Sequence, residues 1–206
     1  MKKVWNAEEK LRFERGLEEK GYSLIAGVDE VGRGPLAGPV VCAAVIMPLE
    51  EAQFVVGVDD SKKLSEKKRE QLAEEIKQKA ICYSIVEIDE KIIDEINILE
   101  ATKLGMKRAL ETLERIPGAV LTDGNMTLDV TIPQQSVIHG DALSYSIGAA
   151  SIIAKVHRDH LMDEYAKQYP QYAFERNKGY GTAAHIQAIQ ESGICPIHRK
   201  TFTKKF

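Results

Sequence analysis

The chain has 206 residues, and its 28 Lys/Arg against 31 Asp/Glu give a net charge of −3. With 44% hydrophobic and 29% charged residues, it has the composition of an ordinary globular protein, which excludes a disordered or collagen-like chain. The length suits one domain, or one domain with a small appendage. No stretch approaches the roughly 18 consecutive apolar residues of a membrane span; the longest apolar region, Pro39 to Pro48, is strand-sized. The N-terminal segment from Met1 to Lys10 opens with positive charge but has no apolar region behind it, so no signal peptide is expected. Cys42, Cys82 and Cys195 are scattered, with no C-x-x-C pair. They read as reduced, mostly buried thiols of a cytoplasmic protein.

In chain order, Asn6 with Glu9 three residues on predicts a capped helix over 7–20, stopped at Gly21. Ser23 to Asp29 reads as a strand ending in polar residues, and the β-branched run Val40 to Met47 as a buried strand. Between them, five Gly or Pro in the eight residues Gly32 to Pro39 demand a tight loop. Ser65 caps a charged helix to about Lys79, and Ile81 to Ile88 is a strand. Asn97 and Glu100 form a second capping box, opening a helix to about Arg115. Ala119 to Thr122 and Ser136 to Ile138 are short strands. A long helix over about 142–167 has a small-residue first half, Gly148-Ala149-Ala150-Ser151, suited to close approach to a sheet. Thr182 to Ser192 is the last expected helix, stopped at Gly193. Five strands alternating with helices predict a mixed sheet flanked by helices.

Four acidic residues occupy similar places. Asp29 and Glu30 are expected to end the first strand, Asp123 ends a later one, and Asp141 follows the last and opens a helix. Strand ends meet at one edge of an α/β sheet, where functional groups gather. Clustered carboxylates stay ionised together only around positive charge, and hard oxygen ligands suit Mg²⁺ or Mn²⁺. Each residue alone reads more readily as a loop or cap residue, Asp141 above all, and only the joint pattern favours ligands. Gly32-Arg33-Gly34 follows the first acidic pair directly, and glycines there expose backbone N–H groups to a ligand. Asp60-Ser61-Lys62-Lys63, Lys155 and Arg158 carry two readings, phosphate contacts or a solvated face. From Lys155 onward the chain holds nine Lys/Arg against five Asp/Glu, a net +4 on a body of −7. That balance suits a phosphate-facing surface, or arises by chance. Tyr180, between Gly179 and Gly181, is either a stacking surface for a sugar or base or a packed loop residue. His157 and His160 read as a surface helix face rather than zinc ligands, and no G-x-S-x-G elbow supports a serine hydrolase.

Read in order, several blocks resemble bacterial ribonuclease HII: Gly27-Val28-Asp29-Glu30-Val31-Gly32-Arg33-Gly34-Pro35-Leu36-Ala37-Gly38-Pro39-Val40, Asp60-Ser61-Lys62-Lys63-Leu64, Asn97-Ile98-Leu99-Glu100-Ala101-Thr102, Asp123-Gly124-Asn125, Gly140-Asp141, Ala149 to Val156, Arg158-Asp159, Lys178-Gly179-Tyr180-Gly181-Thr182 and His198-Arg199. The resemblance runs from about Gly21 to Phe202. It implies a ribonuclease H-like mixed five-stranded sheet with additional C-terminal helices. A single domain over 1–206 follows, with 168–206 as a helical extension packed on it. It places Asp29, Glu30, Asp123 and Asp141 on the family's metal-binding carboxylates, holding two Mg²⁺ or Mn²⁺ ions. Gly32, Arg33 and Gly34 fall on the motif that reads the ribonucleotide 2′-hydroxyl, and Tyr180 on the tyrosine that stacks on the sugar of the following deoxynucleotide. Lys62, Lys155 and Arg158 are the expected phosphate contacts. The implied partner is nucleic acid, as RNA–DNA hybrid or duplex DNA with embedded ribonucleotides, bound by a monomer with no membrane partner. The related ribonuclease HIII usually lacks the loop arginine and has a substantial N-terminal substrate-binding domain; Arg33 and the short segment before the first strand favour HII. Thr201-Phe202 stands where Ser-Phe is more usual, and no clear sliding-clamp motif follows.

Overall fold

The computed structural model describes residues 5–206, so the positively charged opening, Met1 to Val4, lies outside the described residues. Five strands form one sheet: β1 (Ile25–Val31), β2 (Val40–Ile46), β3 (Cys82–Ile88), β4 (Ala119–Asp123) and β5 (Gln134–Val137), in the order β3-β2-β1-β4-β5. β1, β2 and β3 pair antiparallel, whereas β4 runs parallel to β1 and β5 parallel to β4. The expected mixed five-stranded sheet is therefore present. β2 is buried at every position, which its unbroken β-branched and small apolar sequence suits.

The helices are α1 (Ala7–Glu18), α2 (Glu66–Lys79), α3 (Glu90–Glu111), α4 (Gly140–Leu143), α5 (Tyr145–Gln168), α6 (Phe174–Asn177), α7 (Ala183–Ser192) and α8 (Lys200–Thr203). α5 and α2 cover one sheet face through Val41, Ala43, Val45, Leu72, Ile76 and Ala150. α3 covers the other through Val28, Cys42, Ile93, Met106 and Val120. The three cysteines are buried and unpaired. The closest approach of α5 to the sheet comes just before the expected small-residue run, at Ser146 against Gly27. A Cβ on Gly27 of β1 would lie 2.1 Å from the Ser146 carbonyl carbon, so only glycine lets β1 and the start of α5 approach this closely.

The caps Asn6 and Ser65 hold as predicted, and Thr182, expected as the first residue of its helix, is its cap; each accepts from first-turn amides. Several boundaries differ: β5 starts two residues earlier and ends one earlier than expected, and α1 and α3 end short, at Glu18 and Glu111. β1 starts two residues later, after Leu24 at φ 53°, and runs on to Val31, because Val31 pairs with Val41 across the sheet. Asn97 caps its helix as expected, accepting from the amides of Leu99 and Glu100, but at φ 67° it marks a kink inside α3, and a helical segment from Glu90 precedes it. The long helix splits: Asp141 lies within the single turn α4, and Ser144, not Asp141, caps α5. Beyond α7 the chain forms α8, whose first amides are capped from α3 by Asp94. Together with Tyr172, Phe174, Ile189, Cys195 and Ile197, the C-terminal segment builds its own apolar cluster against Ala37 and Met162.

Candidate active site

Strand register brings the first two carboxylates together. Val28 pairs with Thr122, so the next step along both parallel strands sets Asp29 of β1 beside Asp123 of β4. The turn after β5 adds the third: the Gly140 amide donates to Asp123 Oδ1 at 2.6 Å, placing Asp141 one residue away. Because β1 continues through Val31, Asp29 and Glu30 sit inside the strand rather than at its end. Consecutive strand residues point to opposite faces, and the two carboxylates divide accordingly. Asp29 faces α5, where Ser151 bonds it. Glu30 lies on the face of Cys42, whose buried thiol its charge helps push up.

Asp123 is the common neighbour. Burial, then the charges of Glu30 and Asp123, push the Asp29 carboxyl well above its usual range. Burial pushes Glu30 up to about 7, opposed by Arg33 and reinforced by Asp123. Burial, then Asp123 and Asp60, raise Asp141, with Lys62 opposing. Among the described residues no three His, Cys, Asp or Glu side chains stand as a closed set of metal ligands. The donors nevertheless suit a hard divalent cation. All are carboxylate oxygens, Arg33 and Lys62 relieve only part of their mutual repulsion, and the buried Glu30 Oε2 has no hydrogen-bond partner.

Two cations reach the cluster from outside. Lys62, with 81% of its side chain exposed, places Nζ 3.8 Å from Asp141 Oδ2. Burial pulls its ammonium down, yet Asp141, Asp60, Asp29 and Asp123 together hold it above the ordinary lysine value. Arg33 lies 3.5 Å from Glu30 Oε1 and so joins the glycine loop to the acidic residues.

That loop is built with its polarity reversed. Arg199 is fully buried, and its guanidinium donates to the carbonyls of Gly32 (2.5 Å), Arg33 (2.9 Å) and Gly38 (2.8 and 3.0 Å). Arg158, equally buried, donates to Ala37, Pro39 and Lys178. Five guanidinium N–H groups in a fixed fork suit a loop that presents several carbonyls inward. The amides of Arg33 and Gly34 make no hydrogen bond within the described residues, leaving donors on the outer side. Gly32, at φ 92°, could not carry a side chain, since a Cβ there would fall 2.2 Å from Arg158 Nε. Tyr180 closes the rim. Its ring, 44% exposed, comes within 3.7 Å of where a Gly34 Cβ would lie, and the Leu36 amide donates to the Gly179 carbonyl at 2.8 Å.

The structure thus gathers Asp29, Glu30, Asp123, Asp141, Lys62, Gly32, Arg33, Gly34 and Tyr180 on one rim. Arg158 does not match the expectation of a phosphate contact: its guanidinium lies under the loop and is spent on three carbonyls. Lys155 turns along its own helix to Asp159 at 2.6 Å, which also lies 3.6 Å from Arg69. Sequence reasoning gave Arg199 no role beyond its place in a motif. The available signal was the loop itself, since five Gly or Pro in eight residues leave main-chain carbonyls without regular partners, a need that a guanidinium meets.

The family profile described as Ribonuclease HII matches residues 26–205. A "Ribonuclease HII" of Acetivibrio thermocellus is 55% identical over 194 residues, 94% of this chain and 75% of the relative. Among solved structures, the ribonuclease H2 of Pyrococcus horikoshii OT3 matches with a TM-score of 0.74 at 27% identity, over 88% of this chain and 95% of that one. The ribonuclease HII in a complex with PCNA from Archaeoglobus fulgidus matches with a TM-score of 0.74 at 25% identity, over 86% and 94%.

Proposed function

The chain belongs to the ribonuclease HII family, enzymes that hydrolyse the RNA of RNA–DNA hybrids, and from that premise we propose that it also cuts on the 5′ side of single ribonucleotides embedded in duplex DNA. The products are a 3′-hydroxyl and a 5′-phosphate. Asp29, Glu30, Asp123 and Asp141 would hold two Mg²⁺ or Mn²⁺ ions. Bound there, such ions supply Lewis-acid activation of a water and charge neutralisation at the departing 3′ oxygen.

The protein's own groups do the rest. Asp123 accepts from the Gly140 amide, which fixes its carboxylate between β4 and the Asp141 turn. Arg33 balances part of the Glu30 charge while keeping its own backbone amide outward. Lys62, exposed beside Asp141, stands where an incoming phosphate meets the carboxylates and offsets their repulsion. Tyr180 offers its ring to the neighbouring sugar.

The single observation that carries the reading is the inverted loop. With the carbonyls of Gly32 and Arg33 held from beneath by Arg199, the free amides of Arg33 and Gly34 face outward next to the carboxylates. A ribose 2′-hydroxyl accepts from such donors, and deoxyribose has no group to accept. Cleavage mapping on a duplex with one ribonucleotide, with and without divalent metal, tests it. A single metal-dependent cut 5′ of the ribose is expected; equal cutting of an all-DNA duplex refutes the assignment.

A further inference from the structure

Two histidines of the C-terminal segment have no part in the chemistry above. His185 and His198 are both buried, with their Nε2 atoms 3.0 Å apart. Their tautomers follow from their partners. The Cys195 amide donates to His198 Nδ1 at 2.9 Å, so that nitrogen carries no proton. The His198 proton therefore sits on Nε2 and is donated to His185 Nε2. His185 must then carry its proton on Nδ1, which lies 2.9 Å from the Tyr180 carbonyl. Each imidazole spends one donor and one acceptor, in one direction. A further proton on either ring would set two donors against each other.

The surroundings favour this neutral arrangement. Tyr172 lies edge-on to His198 at 4.8 Å and Phe174 edge-on to His185 at 5.4 Å. Burial holds both imidazoles below their usual range, His198 at about 4 with the neighbouring His185 adding to the effect.

The ends of the relay matter most. On one side it terminates on the Tyr180 main chain. On the other, His198 forms a β-bridge with Ala37, and its neighbours are tied to the far end of the glycine loop: the Gly38 amide donates to the Ile197 carbonyl, and the Arg199 amide to the Leu36 carbonyl. The main chain of His198 is thus fastened to the loop, and its side chain reaches through His185 to Tyr180.

We propose that His185 and His198 are positioning residues that fix the Tyr180 turn against the Gly32–Gly34 loop, and thereby set how well the protein cuts at a lone ribonucleotide relative to a continuous hybrid. The inference rests on the reading of Tyr180 as the residue that stacks on the deoxynucleotide beyond the ribose. H185F keeps a ring between Tyr172 and Phe174 and removes both hydrogen bonds. It is expected to lower kcat/KM on a lone-ribonucleotide duplex about tenfold relative to a long hybrid, the scale of one well-placed hydrogen bond. H185N, whose amide stands near the Nδ1 position, recovers most of that loss. In a Y180A background the same H185F change costs less than about twofold, because coupled residues are not additive. Equal losses on both substrates, or an undiminished loss in Y180A, overturn the proposal and leave a packing role.

Nitrogen-15 NMR of the unaltered protein at neutral pH decides the relay even should H185F fail to fold. His185 protonated at Nδ1 and His198 at Nε2 support it, and reversed tautomers or an imidazolium overturn it. Should the unaltered protein leave the lone ribonucleotide uncut, or Y180A alter neither substrate, the proposed function has failed, while the tautomers still rule on the histidine pair.

Discussion

At the scale of single residues, the site is a balance of buried charge. Asp123 touches the electrostatics of Asp29, Glu30 and Asp141 alike, so losing it removes a shared neighbour rather than one ligand of several. D29N and D123N are expected to fold like the unaltered chain and to lose most cleavage, on the order of a hundredfold or more, as for transition-state charge stabilisers generally. Circular dichroism with a hybrid-cleavage assay checks this, and near-normal turnover in both would remove the carboxylates from the chemistry. EDTA should abolish cleavage, and Mg²⁺ or Mn²⁺ should restore it; turnover that resists the chelator would contradict a metal-held site. Arg199 supplies a different kind of test. R199K keeps the charge but cannot span the carbonyls of Gly32, Arg33 and Gly38, so the stranded buried carbonyls should cost about 2 kcal/mol in urea unfolding. An R199K protein as stable as the original would show that the loop holds itself.

At the scale of elements, α1 is a splint for the turn that carries Asp141. Lys10 donates to the Ala142 carbonyl at 2.5 Å. The fully buried Glu14 accepts from the Ser144 hydroxyl at 2.6 Å and the Ser146 amide at 2.9 Å. The break between α4 and α5 is thus held from both sides by one helix. E14A should leave two buried donors unpaired and destabilise the protein by about 2 kcal/mol or more, measured by chemical unfolding; a loss within experimental scatter would mean water replaces the carboxylate. Helix starts were legible in the sequence at Asn6, Ser65 and Asn97, where a side chain accepts from amides two or three residues on; Asp89 and Ser144 cap α3 and α5 in the same way and were missed. Elements set by distant partners were not legible. The last residues of β1 depend on Val41, and the separation of α4 from α5 depends on Glu14, more than a hundred positions earlier. Of the candidate site, the carboxylates, the glycine loop and Tyr180 could be picked out because each residue type has a chemistry of its own. The contrast between exposed Lys62 and buried Arg158 could not, because both are cations beside polar neighbours in the sequence, and only packing distinguishes a surface charge from an internal fork of donors.

At the scale of the whole molecule, the sheet with its two covering layers supplies the acidic residues, while the C-terminal segment supplies what shapes the loop beside them. This division gives a pH signature. His198 is held at about 4 by burial and by His185, below the 6.5 of a free imidazole. An unfolded chain therefore takes up a proton there before the folded one does. The resulting stability is present above about pH 6.5 and is lost as pH falls towards 4. The melting temperature of the unaltered protein should fall more steeply across that interval than that of H198F; parallel curves would mean that His198 titrates alike in both states. The same division has a temporal side. Arg199 stands 166 residues beyond the Arg33 carbonyl it holds. During synthesis, a chain emerging from the ribosome therefore already displays Asp29, Glu30, Asp123 and Asp141 while the glycine loop beside them still lacks its anchor, so the acidic residues are in place before the loop is held.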